Sequence, residues 1–98
     1  MKRRSFAVIG LGEFGMTIVE ELVALNREVI AIDKDEEAVA KAARLIPTAF
    51  IADSTNEKAL KELNIDEVTD AIVCYGDNVT ASILTTVILK DLGISHIV

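Results

Sequence analysis

Within ten residues, Phe6-Ala-Val-Ile-Gly-Leu-Gly-Glu-Phe-Gly15, the chain passes from an apolar run of strand length through three glycines into a helix-like pattern, and few folds accommodate that passage. The spacing Gly10-x-Gly12-x-x-Gly15 gives each glycine a separate task. Gly10 permits a tight exit from the strand, Gly12 leaves no Cβ where a pyrophosphate approaches the backbone, and Gly15 lets the helix lie close to the strand. The helix start supplies the attraction for an anion. Its first amides have no partner inside the helix and sit at the positive end of the dipole.

The rest of the chain keeps the order that such a turn requires. Phe14, Ile18, Leu22 and Leu25 recur at helical spacing and predict a first helix over 13–26, with Glu20 and Glu21 toward water and Asn26 as a left-handed stop. A second strand over 28–32 ends in Asp33, close to the interval of about 20 residues at which a carboxylate takes the two hydroxyls of an adenosine ribose. Asp35-Glu-Glu37 then opens a helix that carries Val39, Ala42, Ala43 and Ile46 inward and is halted by Pro47, its acids complementing the dipole. A third strand, 48–52, ends in Asp53-Ser54. Ser54-x-x-Glu57 reads as a capping box for a short helix with Leu60 and Leu63 inside. Asp53 stands at a strand's carboxyl end, where it either meets the adenine or a second effector or caps its own loop.

A fourth strand, 71–75, breaks at Gly76-Asp77-Asn78, and a helix follows to Leu92 with Gly93 as its stop. Val79, Thr80, Ile83, Thr85, Thr86, Val87 and Ile88 load this helix with β-branched residues of mediocre helix propensity, and its apolar positions wrap more than one face. One side must cover the sheet; the other is expected to meet a second subunit or a further part of the protein. The last four residues, Ser95-His-Ile-Val98, read as a strand on which the sequence stops, so the chain is expected to be a piece of something longer.

Five strands alternating with four helices predict one domain over 1–98, an α/β fold of Rossmann-like, doubly wound type with a parallel sheet truncated after the fifth strand. Hydrophobic residues make up 51% and charged ones 27% of the 98 residues, a globular balance. The net charge of −6 argues against a general nucleic-acid binder, since the one basic cluster is Lys2-Arg3-Arg4. That cluster precedes an apolar run too short and too rich in glycine for a secretory signal, and no stretch has the length of a membrane span, which predicts a cytoplasmic protein. The one cysteine, Cys74, lies in an apolar strand as a small hydrophobe, and with one histidine, His96, it makes no zinc site.

Phe6-Ala-Val-Ile-Gly-Leu-Gly-Glu-Phe-Gly15, Val29-Ile-Ala-Ile-Asp33 with Lys34-Asp35, Ala52-Asp-Ser-Thr55, and Ala71-Ile-Val-Cys74 leading into Asn78 and Leu84-Thr-Thr86 together resemble the nucleotide-binding regulatory domains of potassium channels and transporters, the RCK or KTN (TrkA-N) family of the Trk and Ktr uptake systems. The resemblance covers essentially the whole chain. It implies a cytoplasmic ring of such domains beneath a membrane pore, a homo-oligomer assembled through the helix over 79–92, and gating by NAD or NADH, or by ADP, AMP or ATP. The nucleotide-contacting set it implies is Gly10, Gly12, Glu13, Phe14, Gly15, Asp33, Lys34, Asp53, Ser54, Gly76 and Asn78, with no catalytic and no metal-ligating residue. Two departures matter. Regulators of this kind often carry Arg where this chain has Glu13, and a carboxylate there disfavours a triphosphate. The family's C-terminal ligand-binding lobe also lies outside these 98 residues.

The alternative reading is the coenzyme-binding half of an NAD-dependent dehydrogenase whose catalytic part is missing. Tyr75 has Val79 and not Lys four residues on, and no Ser-His-acid arrangement can be built, so the sequence favours a nucleotide sensor.

Overall fold

The computed structural model describes residues 3–98, so Lys2 of the basic cluster lies outside the described residues. Its elements are β1 (Ser5–Ile9), α1 (Glu13–Ala24), β2 (Glu28–Asp33), α2 (Glu36–Ala43), β3 (Ala49–Ile51), α3 (Glu57–Glu62), a 3-10 turn (Ile65–Glu67), β4 (Asp70–Val73), α4 (Val79–Asp91) and β5 (His96–Ile97). All strands are parallel, in the order β3-β2-β1-β4-β5. This is the Rossmann-like arrangement expected, with the expected fifth strand on the edge. Val98 extends that edge, donating to the Ala71 carbonyl and accepting from the Val73 amide, each at 2.9 Å.

Period-two alternation along the strands divides the apolar residues between two layers. Val8, Val29 and Ala31 face α1 and α2, meeting Val19, Val39, Ala42 and Ile46. Ala7, Ile9, Ile32 and Ala71 face the other side, where Leu60, Ile65, Leu89 and Ile94 cover them. The register sets Ile9 opposite both Ile32 and Val73, and Asp33 opposite Ile51, so β1, β2, β3 and β4 finish along one edge. The chain winds outward from β1 to β3, then crosses back to β4. The crevice between the β1 and β4 loops is therefore the point where strand order reverses, the place at which such sheets accept ligands.

Four local expectations change in three dimensions. Phe14 and Leu25 are 69% and 64% exposed, whereas Gly15 and Val19 are buried and Met16, Ile18, Leu22 and Val23 half-buried. The contact of Gly15 with the glycine turn fixes the rotation of α1 about its axis, and Phe14 and Leu25 lie off that line. In α2, Ala43 is exposed and Ala38 takes the inward place. The proposed capping box does not form: α3 starts at Glu57, and Asn56 caps it by accepting from the Ala59 amide at 3.2 Å. Ser54 turns into the core instead, fully buried. Asn26, by contrast, has the left-handed φ expected of it, 58°.

The outer side of α4 is apolar and bare. Thr85 and Leu89 are buried beneath it, while Val79, Ile83, Leu84 and Val87 are 64%, 58%, 48% and 51% exposed. At the amino-terminal edge of the sheet, a hollow of about 920 Å³ lies beside Phe6, Ile30, Phe50 and Val68. Among the described residues, no helix is long and apolar enough to cross a membrane.

Candidate functional site

The glycine turn is fastened on every side except one. Gly10 has φ 98° and its amide donates to the Ile32 carbonyl at 2.9 Å. A Cβ on it would sit 2.6 Å from the Cys74 carbonyl oxygen and 3.4 Å from Tyr75 Cδ1. One on Gly15 would sit 1.9 Å from the Gly10 carbonyl oxygen. Both positions are therefore glycine for the fold's own reasons. Gly12 is different. Its φ is −71°, which any residue adopts, and a Cβ there meets nothing within 4 Å.

Gly12 is also the N-cap of α1, and it brings no side chain to the first amides of that helix. Among the described residues the other three α-helices are capped by side chains: Asp35 accepts from Glu37, Asn56 from Ala59 and Asn78 from Ala81. The N-terminus of α1 thus keeps open donors and the positive end of its dipole beside a backbone position with free space in front of it, an arrangement that fits an anion.

Asp33 reaches the same turn from the end of β2. Its Oδ2 accepts from the Leu11 amide at 2.7 Å and its Oδ1 from the Asp35 amide at 2.8 Å. A carboxylate has about four lone-pair sites, so two remain for a diol. The backbone bonds fix the group beside the glycines. Leu11, buried at 3% exposure, was not among the residues expected to matter, and its amide is what ties the acid to the turn.

Asp53 is exposed at the end of β3, where the Thr55 hydroxyl and amide, at 2.6 and 2.9 Å, hold its carboxyl below the usual range, with a smaller contribution from nearby Lys34. It therefore caps its own loop and stays ionised while facing the edge. Gly76 and Asn78 follow β4 on the same edge, the oxygen of Asn78 being committed to the Ala81 amide at 3.0 Å. Glu13 is exposed and turns toward a hollow of about 520 Å³ between α1 and α2, shared with Gly12, Asp35, Glu37 and Lys41. Phe14 stands in water on the first turn of α1.

Within reach of the charges of both Asp33 and Asp53 lies Tyr75, which the sequence presents only as a catalytic candidate. Its ring backs Gly10, and its phenol oxygen is hydrogen-bonded to Ser54 Oγ. Burial pushes the phenol above its ordinary value, and the negative charges of Asp33 and Asp53 add to this, so the hydroxyl stays protonated at neutral pH. One signal was available: it is the only tyrosine, placed between a strand and a glycine at the ligand-binding edge. Of the expected set, then, Gly10, Gly12, Gly15 and Asp33 converge on one turn; Lys34, Asp53, Gly76 and Asn78 line the edge around it; Ser54 lies beneath.

Residues 6–98 match the TrkA-N domain family. Ktr system potassium uptake protein C of Bacillus subtilis (strain 168) is 46% identical over 97% of this chain and 43% of its own length. Ktr system potassium uptake protein A is 44% identical in the same organism, over 99% of this chain and 44% of the relative, and 37% identical in Vibrio alginolyticus, over 96% and 43%. The chain thus spans less than half the length of these relatives. Among solved structures, the NAD(P)-binding domain of an exopolyphosphatase-related protein from Archaeoglobus fulgidus superposes with a TM-score of 0.79 at 27% identity, over 95% of this chain and 68% of that one.

Proposed function

This chain belongs to the TrkA-N domain family, and we propose that it serves as a nucleotide-binding regulatory domain that gates a potassium channel or transporter through ligand-dependent change of shape. The observation that carries the nucleotide is Gly12. Nothing in the chain requires a glycine there, yet any side chain would fill the space before the uncapped amides of α1. A pyrophosphate accounts for both features, and the diol of an adenosine ribose accounts for the two remaining lone-pair sites on Asp33. NAD or NADH is the ligand favoured, which the likeness to an NAD(P)-binding domain supports. ADP, AMP and ATP are the alternatives; Glu13, one residue past Gly12, weighs against the most highly charged of them.

The potassium system enters through the relatives, which carry the name of Ktr potassium uptake proteins. In this reading the domain is cytoplasmic, reaches the inner face of the membrane only through a pore-forming partner, assembles with copies of itself through the apolar outer side of α4, and does no chemistry of its own. Mass spectrometry of the nucleotide that co-purifies with the full chain, followed by calorimetric titration with NAD, NADH, ADP, AMP and ATP, tests the first half. An adenine nucleotide bound one per chain is expected. No binding by any of the five would overturn the reading. The second half is tested by potassium uptake in cells lacking the protein: loss of nucleotide-dependent uptake is expected, and unchanged uptake argues against it.

A further inference from the structure

The carboxyl edge of the sheet is joined to α4 by three hydroxyls that meet inside an otherwise apolar layer. Ser54 Oγ bonds the phenol oxygen of Tyr75 on one side and Thr85 Oγ1, at 2.8 Å, on the other. Ser54 and Thr85 are fully buried. Buried hydroxyls are costly unless they satisfy one another, and replacing a matched set by apolar groups of the same shape is close to neutral for stability. Three matched hydroxyls therefore do more to fix where three segments sit than to hold the fold together. Those segments are the loop after β3, the end of β4 and the middle of α4. The ring of Tyr75, at one end of the hydroxyl chain, backs Gly10 of the glycine turn, and the far side of α4 presents Ile83, Leu84 and Val87 to solvent.

We infer that Tyr75, held by Ser54 and Thr85, is a positioning residue through which occupancy of the glycine turn alters the setting of α4. The inference rests on the nucleotide reading above. Gly10 is wedged between the turn and the Cys74 carbonyl and Tyr75 ring, without room for a single methyl group. An anion that draws on the amides of α1 pulls on this turn, and the displacement passes to the ring behind it. The hydroxyl chain carries it on to Thr85, so the outward apolar face of α4 moves with the ligand. A ligand shifts such an equilibrium only as far as it binds one setting better than the other. Cutting the hydroxyl chain should therefore spare binding and abolish the response.

The test is amide hydrogen exchange in the full chain with and without saturating NAD, and separately ADP, for the wild type, Tyr75→Phe, Thr85→Val and Thr85→Ser. In the wild type, nucleotide is expected to slow exchange both in the first turns of α1 and across Val79–Asp91. Tyr75→Phe and Thr85→Val should keep affinity within about threefold and keep the α1 protection, while the α4 response falls by about fivefold or more. Thr85→Ser, which restores the hydroxyl, should restore the response. An α4 response equal in wild type and Thr85→Val, or absent in a wild type whose α1 is protected, would overturn the inference while leaving the nucleotide reading intact. Absence of binding and of α1 protection in the wild type would overturn both.

Discussion

Gly12 and Gly15 stand three residues apart and answer to different constraints, so they make a matched pair of experiments. Gly15→Ala places a methyl 1.9 Å from the Gly10 carbonyl oxygen, in contact with backbone that cannot yield, and α1 must lift from the sheet. A loss of about 2 kcal/mol or more in urea denaturation is expected. Gly12→Ala meets no atom of the chain and needs no unusual φ; its stability should stay within about 1 kcal/mol of wild type. Nucleotide affinity should nevertheless fall on the order of a hundredfold by calorimetry, because the methyl occupies the phosphate's place. Normal binding by this variant would reduce the turn to a connector. Asp33 needs a subtler change than truncation, since Asp33→Ala would orphan the buried Leu11 amide as well as the ribose. Asp33→Asn keeps an acceptor for that amide and removes the charge. It should weaken NAD on the order of tenfold, and it should narrow the gap between NAD and NADP, whose 2′-phosphate faces the carboxylate in the wild type.

At the scale of elements, the caps and the bare helix face carry the predictions. Asn56→Ala removes the cap of a six-residue helix and should cost about 1 kcal/mol. Ser54→Ala should cost at least as much, although Ser54 caps nothing, because it strands the fully buried Thr85 hydroxyl and removes the partner of the half-buried Tyr75 phenol. Thermal denaturation of the two variants side by side checks this; a silent Ser54→Ala would contradict the buried network. On α4, Ile83→Glu and Val87→Glu alter side chains that are more than half exposed and should leave the folded chain's stability within about 0.5 kcal/mol. If copies assemble through this face, the same changes should convert the oligomer to smaller species in light scattering.

The molecule as a whole is tied at the edge opposite the site by Asp70. Arg4 donates to both of its oxygens, at 2.7 and 3.3 Å, the Thr69 hydroxyl adds a bond at 2.7 Å, and His96 Nδ1 lies 3.7 Å away. Hydrogen bonding from Arg4 holds the Asp70 carboxyl below its ordinary value despite burial. Because the folded chain then binds a proton less readily than the unfolded one, this group's contribution is fully present above the ordinary carboxylate range. It is lost as pH falls below about 4, through the lowered folded value. Denaturation midpoints should accordingly drop over that interval and change little from Asp70 between pH 5 and 7. In Asp70→Asn the acid limb should be shallower, with lower stability at neutral pH. Asp53 titrates in the same direction, so the variant's limb should flatten without vanishing.

What the sequence determined by itself is whatever depends on neighbours along the chain. The strand, the three glycines, the helix start and Asp33 follow from local sterics and period, and so do the left-handed Asn26, the parallel order and an α4 with more apolar surface than one face can bury. Tertiary structure alone decided which side of each helix turns inward and which polar groups meet. Phe14 looks like core by spacing and is exposed, because the contact between Gly15 and Gly10 sets the rotation of α1. Ser54 looks like a cap and is a buried junction, because its partners lie 21 and 31 residues further on and reach it only when β4 and α4 pack around the loop after β3. Short-range periodicity carries no information about such meetings. They are selected by the requirement that every hydroxyl taken out of water find a partner, and that requirement is met only once the whole sheet has closed.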